Sequence, residues 1–465
     1  MATFKTVKNE IPALRFIADR MQLLSGPGRR MLDDFPWLMD SLAIERELEE
    51  TSVAMETLEL FPEETERIRL CLMQVRDIRT TISRLLEGTT LDDVDLFELK
   101  NFAITAVEMR EIIRSVALVD TSLAEMPKLD EVVKLLDPEA TGSRHFYIYD
   151  AYSAELAAKR KELKKLQAQP DYDETLSDSL TAECFRLEAD VRGRLSEKLK
   201  EWARDVAAAL EFAGRCDLLL AKAGLTRDLG LCRPECSEEG ITFVGLRNPV
   251  VEARLEKENK KFQPVDLKLQ PGVTLITGIN MGGKSVTMRS VALAQAMMQF
   301  GFYVAAGDAT ICPVESIVAS MGDADREDAG LSSFGTEIMK ISSIIESARE
   351  GRKMLVLIDE PARTTNPEEG RAIAEALVEI LNRTDSFCMI STHYTGVAGA
   401  KRKLRVKGLR EDIAVGGGVS PAMMSDFVDY SLIEETDAEV PHEALRIASL
   451  LGVDGELVEL AGKRL

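Results

Sequence analysis

Residues 270–300, QPGVTLITGINMGGKSVTMRSVALAQAMMQF, constrain the fold more than any other stretch of this chain. Val273, Leu275 and Ile276 form a short apolar run of strand character, while Met288, Val291, Leu293 and Met297 lie in a proline-free stretch of good helix formers. Glycines, a lysine and a serine stand between the two, so the glycines occupy a strand-to-helix turn. Gly278, Gly283, Lys284 and Ser285 fit the spacing G-x-x-x-x-G-K-[ST], in which backbone N–H groups and a helix N-terminus surround an anionic phosphate. In that arrangement Lys284 meets the β- and γ-phosphates of a nucleotide and Ser285 meets magnesium. Nucleotide binding is therefore the first expectation, and the use of the nucleotide has to be read elsewhere.

A length of 465 residues is too great for one ordinary domain, and 45% hydrophobic content suffices for more than one core. No apolar run reaches the roughly eighteen residues of a membrane span. The first residues, MATFKTVKNEIPALRF, lack the apolar core of a signal peptide, so a soluble cytoplasmic protein with no membrane contact is expected. The seven cysteines are scattered and odd in number, which favours reduced thiols, and Cys232 and Cys236 have neither a second pair nor a nearby histidine to make a metal site. The formal net charge of −21 counts against a duplex-DNA ligand without excluding it, because such ligands draw affinity from lysine and arginine.

The chain divides by texture. Residues 1–236 read as helical throughout, with a break at SGPGRRMLDDFPWLMD, where Arg29 and Arg30 are either a solvated corner or a partner contact. Within this half, AYSAELAAKRKELKKLQAQ and a second stretch with Leu187, Val191, Leu195, Leu199, Trp202, Val206 and Leu210 at steps of three or four predict a short antiparallel arm over about 151–212. From 237 to 465 the pattern changes to short apolar strands, GITFVGL, VTLITG, KMLVLIDE and DSFCMISTH, alternating with helices. That alternation argues a mainly parallel sheet with the site at the strands' carboxyl ends. FVDYSLIEE reads as an edge strand and HEALRIASLLGVDGELVELAGKRL as two short helices.

Hydrolysis needs more than a phosphate loop. MLVLIDEP ends in two carboxylates, so Asp359 is placed to reach the magnesium and Glu360 to polarise an attacking water. MISTHY ends a further strand at His393, where an imidazole can hydrogen-bond a γ-phosphate. Between them Ser332, Ser333, Phe334 and Glu337 open a helix. In ATPases completed by a second subunit, such a serine-bearing N-terminus clamps the opposite γ-phosphate.

Taken together these residues resemble the MutS family, ATPases related to the ABC transporters and associated with DNA mismatch repair. Residues 278–286, GINMGGKSV, are similar to the family's GPNMGGKST, with Ile279 and Val286 as departures. The resemblance implies that Asn280, Met281, Gly282 and Val286 join Gly278, Gly283, Lys284 and Ser285 around ATP and Mg²⁺. SSFGTEI is similar to STFxxEM, with Ser332 matching the serine that acts across a dimer, and Thr392, His393 and Tyr394 match the family's THY. Phe262, in FQPVDLKLQPGVTLITG, matches an aromatic that stacks on adenine, and EALRIASLLGVDGELVELA is similar to helices that pair subunits. The implied architecture is an all-α lever and arm domain followed by an α/β ABC-type P-loop ATPase domain with a mainly parallel sheet. The implied assembly is a homodimer, or a heterodimer with a related subunit.

The family's mismatch-reading domains have no counterpart before the levers here, and the predicted arm tip is acidic (Asp171, Asp173, Glu174, Asp178), so mismatch reading is not expected. In 359–370, DEPARTTNPEEG against the family's DELGRGTSxxDG, Ala362 and Thr364 replace glycines and Pro361 fixes the backbone. With length and charge, this segment resembles the branch that serves as the ATPase component of the reactivating factor for lysine 5,6-aminomutase, a cobalamin-dependent enzyme. That resemblance implies a protein client. The alternatives are a DNA-binding relative acting on mismatched or branched DNA, and a nucleotide-gated scaffold without turnover.

Overall fold

A computed structural model describes residues 2–279, 282–321, 333–394, 396–410, 426–435 and 443–464. The first half is helical: α1 (Phe4–Glu10), α2 (Ala13–Arg20), α3 (Gly26–Asp34), α4 (Ser41–Leu60), α5 (Pro62–Leu72), α6 (Arg79–Leu86), α7 (Asp93–Ile113), α8 (Asp130–Leu136), α9 (Ala154–Gln167), α10 (Glu174–Leu199) and α11 (Ala203–Leu229). Side chains that compete with the backbone open several of them. Asp40, Asp92, Ser153 and Asp173 each accept from first-turn N–H groups, as N-caps do. The periodic stretch expected as one helix through Leu210 is two, because residues Lys200–Trp202 tighten into a 3₁₀ turn between α10 and α11.

Helix α11 is the axis of this half and ends at Gly230 in the left-handed conformation. It grips α3 through a buried carboxylate. Asp217 accepts from the Leu24 and Ser25 amides and from the Ser25 hydroxyl, and a Cβ on Gly28 would lie 2.2 Å from its Oδ2. At the Arg29 and Arg30 corner both side chains have partners within the chain: half-buried Arg30 pairs with Asp77 and Glu211, and Arg29, which is exposed, donates to the Leu23 carbonyl. A second buried charge, Lys100, donates to Asp137, the Tyr149 hydroxyl and the His145 carbonyl.

In the arm, α9 and α10 run as an antiparallel pair over a thin core of Leu156, Leu180, Cys184 and Leu187. Two of its basic residues pair mostly between elements: Lys159 reaches Glu183 as well as Glu162, and Arg160 reaches Glu188 and Asp150.

The second half contains β1 (Glu235–Cys236), β2 (Ile241–Leu246), α12 (Pro249–Lys257), β3 (Val265–Leu269), β4 (Gly272–Thr277), α13 (Lys284–Gln299), β5 (Asp308–Ile311), β6 (Ser316–Met321), α14 (Ser333–Arg349), β7 (Met354–Asp359), α15 (Pro367–Leu381), β8 (Phe387–Ser391), β9 (Arg402–Leu409), β10 (Val428–Glu434), α16 (Glu443–Leu450) and α17 (Gly455–Gly462). Six strands form one sheet in the order β10-β9-β4-β8-β7-β6, all parallel except the edge strand β10. Its strands are covered on both faces. Leu355, Leu357, Phe387 and Met389 face the core around α13, and Val356, Ile358, Cys388 and Ile390 face the core around α14 and α15.

GITFVGL does not join that sheet, a correction to the expectation. It forms β2 in a separate four-stranded sheet, β1-β5-β2-β3, antiparallel to both neighbours. The physical reason is visible in its side chains: Ile241, Phe243 and Leu246 are buried while Val244 is exposed, the alternation of a strand covered on one face.

The change from helices to strands near residues 236 and 237 does not divide the core. Phe4, Leu14, Ile17, Trp37, Ile44 and Leu48 pack in one cluster with Leu218 and Leu225 of α11 and with Met288, Met297 and Phe300 at α13. Phe300 meets Phe4 and Trp37 edge to face, at 5.1 and 5.2 Å between ring centres, and the Trp37 indole donates to the Val314 carbonyl, 277 residues away. No helix among the described residues is long and apolar enough to cross a membrane.

Candidate nucleotide site

Strand β4 is buried between β8 and β9, and at its carboxyl end the chain turns into α13. The turn needs glycine for two reasons at once. Gly278 and Gly283 have φ of +120° and +79°, and a Cβ would stand 3.1 Å from Val406 at the first and 3.0 Å from the Tyr430 ring at the second. The backbone therefore lies tight against β9 and β10 on one side and opens to a cleft on the other. Gly283 is also the N-cap of α13, whose first turn has no acidic residue and no side-chain cap among the described residues. The partial positive charge of that helix end faces the cleft.

Lys284 is 5% exposed, and its ammonium donates to the carbonyls of Gly278 at 2.8 Å and Ile279 at 3.1 Å, with a Glu360 oxygen at 3.7 Å. Burial lowers its pKa from the ordinary lysine value, against the opposing pull of Glu360 and Asp359. Ser285 donates its hydroxyl to Asp359 Oδ2 at 2.5 Å, and Ser391 donates to the other oxygen of the same carboxylate. Asp359 and Ser391 are register partners at the ends of β7 and β8. The parallel sheet thus brings together groups far apart in sequence. A hydroxyl and a carboxylate in contact, both hard oxygen donors, fit a magnesium ion.

Glu360 follows in the left-handed region, φ +49°, with its amide held by the Ser391 carbonyl at 3.1 Å and hydroxyl at 3.0 Å. Its carboxylate lies 3.4 Å from Arg363 and 4.0 Å from His393 Nδ1.

A cleft of about 890 Å³ joins Phe262, Gly282, Gly283, Lys284, Ser285, Val286, Asp359 and Glu360. Gly278 contributes through its carbonyl. His393 does not line this cleft; it stands behind Glu360 with its ring against Tyr394, 4.2 Å between centres. Asn280, Met281 and Ser332 lie outside the described residues. Ser333 is the first residue of α14. The sequence reading missed Tyr430, Arg254, Leu255 and Asn259 in the cleft wall and Ser391 behind Asp359. Only Ser391 had a local signal, as the last residue of the strand that leads to His393.

Residues 274–439 match the family model described as MutS domain V. The chain is 34% identical over 236 residues to the DNA mismatch repair protein MutS of Natronomonas pharaonis, covering 50% of this chain and 26% of that protein. It is 29% identical over 307 residues to the endonuclease MutS2 of Thermus thermophilus, covering 62% and 39%. A mismatch repair protein MutS of Thermus aquaticus is 35% identical over 219 residues, covering 46% and 26%. The chain therefore spans between about a quarter and two fifths of the length of these curated relatives. The matched segment runs from β4 through the loop of Lys284, the carboxylates at the end of β7 and the Thr392–Tyr394 turn into β10, so the part of the chain that carries the site is the part that is similar to MutS domain V.

Proposed function

We propose that the chain is a MutS-type ATPase of ABC class that binds ATP in the cleft and hydrolyses it, coupling turnover to movement of the helical half. The observation that carries this reading is the meeting of Lys284, Ser285, Asp359 and Glu360 at one helix N-terminus. Lys284 would exchange two backbone carbonyls for β- and γ-phosphate oxygens. Ser285 and Asp359 would hold Mg²⁺, which neutralises phosphate charge when bound. Glu360 is the base for water, His393 steadies it from behind or reaches the γ-phosphate, and Phe262 stacks on the base. Sites shared across a homodimer or heterodimer, with Ser332 and Ser333 serving the partner's nucleotide, complete the proposal.

The client we propose is a protein, in the manner of an aminomutase reactivating factor. Two features support it. The arm's Lys159 and Arg160 are already engaged with Glu183, Glu188 and Asp150, and the chain carries a net charge of −21. The second reading, action on mismatched or branched DNA, is favoured by the names of the relatives.

The test has two parts. Glu360→Gln should keep ATP binding and lower turnover by about a hundred- to ten-thousandfold; turnover equal to the parent's would place the base elsewhere. Fluorescence anisotropy at about 150 mM salt with duplex, mismatched and four-way-junction DNA then decides the client. Submicromolar binding would overturn the protein-client reading in favour of DNA.

A further inference from the structure

The segment that carries Glu360 contains a second residue in the left-handed region. Ala362 has φ +58° and is wholly buried, and Pro361 stands between the two. Each non-glycine residue in that conformation costs about 1–2 kcal/mol, so the segment relaxes unless something holds it. Ser391 holds Glu360. Ala362 is held from both sides of its own residue. Its N–H donates to Glu337 Oε1 at 3.1 Å, and its carbonyl accepts from the Tyr394 hydroxyl at 2.9 Å and the Thr365 amide at 3.2 Å.

The two side chains come from different elements. Glu337 lies in the first turns of α14, and Tyr394 follows β8. The phenol reaches Ala362 only because α15 carries Gly370, where a Cβ would stand 2.1 Å from the hydroxyl oxygen. Tyr394 is 8% exposed, so its hydroxyl has traded water for this carbonyl. Nothing in this contact touches the phosphate loop.

We infer that Glu337 and Tyr394 form a two-sided clamp on Ala362 that holds Glu360 in its working position, which makes both of them positioning residues for hydrolysis. The inference rests on the ATPase reading above. It adds a route by which α14 acts on Glu360: a shift of the helix that withdraws Glu337 frees the Ala362 amide and lets the strained segment relax. Nucleotide affinity should change little, because the hydrogen bonds of Lys284 and Ser285 run to Gly278, Ile279 and Asp359 and not to the segment from Glu360 to Ala362.

The experiment compares nucleotide affinity by calorimetry with steady-state turnover in the full chain. Glu337→Leu should lower kcat about ten- to hundredfold, the scale of a small misplacement of a catalytic group, and leave affinity within about threefold. Glu337→Gln keeps a carbonyl oxygen that accepts the same N–H and should recover most of the loss. Tyr394→Phe should lower kcat in the same direction. Adding Ala362→Gly to Glu337→Leu should restore part of the turnover, because glycine holds the left-handed conformation without strain. A parent chain that turns over while Glu337→Leu matches it within about twofold sinks the clamp alone, and so do equal losses from the leucine and glutamine variants. A parent with no turnover sinks the ATPase reading and the clamp with it. Should Glu337→Leu fail to fold, Tyr394→Phe decides by the same split between kcat and affinity.

Discussion

Two buried lysines stand at opposite ends of α13, and their partners differ in kind. Lys222, from α11, is wholly buried and meets the far end of the helix: its ammonium donates to the Phe300 carbonyl at 2.9 Å and to Glu47 at 3.1 Å. It also lies over the rings of Phe35 and Phe302, at 4.4 and 4.7 Å from their centres. Burial pushes it down to about 8, with Glu47 opposing. Glu47 in turn takes Arg215, which also pairs with Glu50. Lys284, at the near end, has two carbonyls of its own glycine loop and a carboxylate at 3.7 Å. One charge is closed into a network that ties α4, α11 and α13 together. The other is held by two loop carbonyls at the wall of a cleft, where a ligand oxygen can replace them. Burial is common to the two lysines; the identity of their partners separates them.

The comparison breaks most visibly at the near end. Lys284→Ala should weaken ATP binding by about 3–4 kcal/mol, a few hundredfold or more, while helical content and unfolding midpoint hardly change. Affinity retained within about threefold would put Lys284 in the same structural class as Lys222. The reciprocal change, Lys222→Met, keeps the stem but strands part of the Glu47 charge and should destabilise the fold by about 3 kcal/mol in urea titrations. ATP affinity should then hold within about threefold; a parallel loss would show that the far end of α13 also governs the cleft.

A third buried lysine sharpens the point at smaller amplitude. Burial would raise the Asp137 carboxyl, but Thr141, the Gly142 amide and Lys100 outweigh it and hold it at about 2, below its ordinary 3.8. A lowered carboxylate contributes stability that is present above about pH 4 and is lost as pH falls through about 2. Urea midpoints between pH 5 and 2 should therefore fall more steeply for the parent than for Asp137→Asn, and equal slopes would remove Lys100 from the class of closed charges. The smallest effect is expected at Ala362→Gly in the otherwise native chain. Relief of about 1 kcal/mol of strain should be nearly cancelled by glycine's greater freedom when unfolded, leaving the unfolding midpoint close to the parent's and turnover within about twofold.

Legibility from sequence followed the range of the interactions. The G-x-x-x-x-G-K-S spacing and the pair Asp359 and Glu360 are local patterns whose spacing carries their chemistry, and the structure brings Gly282, Gly283, Lys284 and Ser285 into one cleft with the two carboxylates. GITFVGL was misassigned because strand existence was read and its alternation was not. The turn at Lys200–Trp202 was invisible because apolar residues keep steps of three and four through it, with no proline or glycine to mark the break. Neither Tyr430's place in the cleft nor Glu337's partner could be read, although Glu337 itself was singled out: one reaches the site from an antiparallel edge strand, and the other meets the backbone of a distant loop, where residue type leaves no trace.

The core shared by the first helices and α13 also sets a schedule for folding during synthesis. Trp37 waits for Val314, 277 residues later, and at ribosomal speeds of about 5–20 residues per second that interval is roughly 15–55 s. For that time Phe4, Leu14, Ile17 and Trp37 have no native partner on α13 and remain open to the wrong ones. Contacts this distant in sequence close late and slowly, so in the growing chain these apolar side chains need shielding until α13 has emerged.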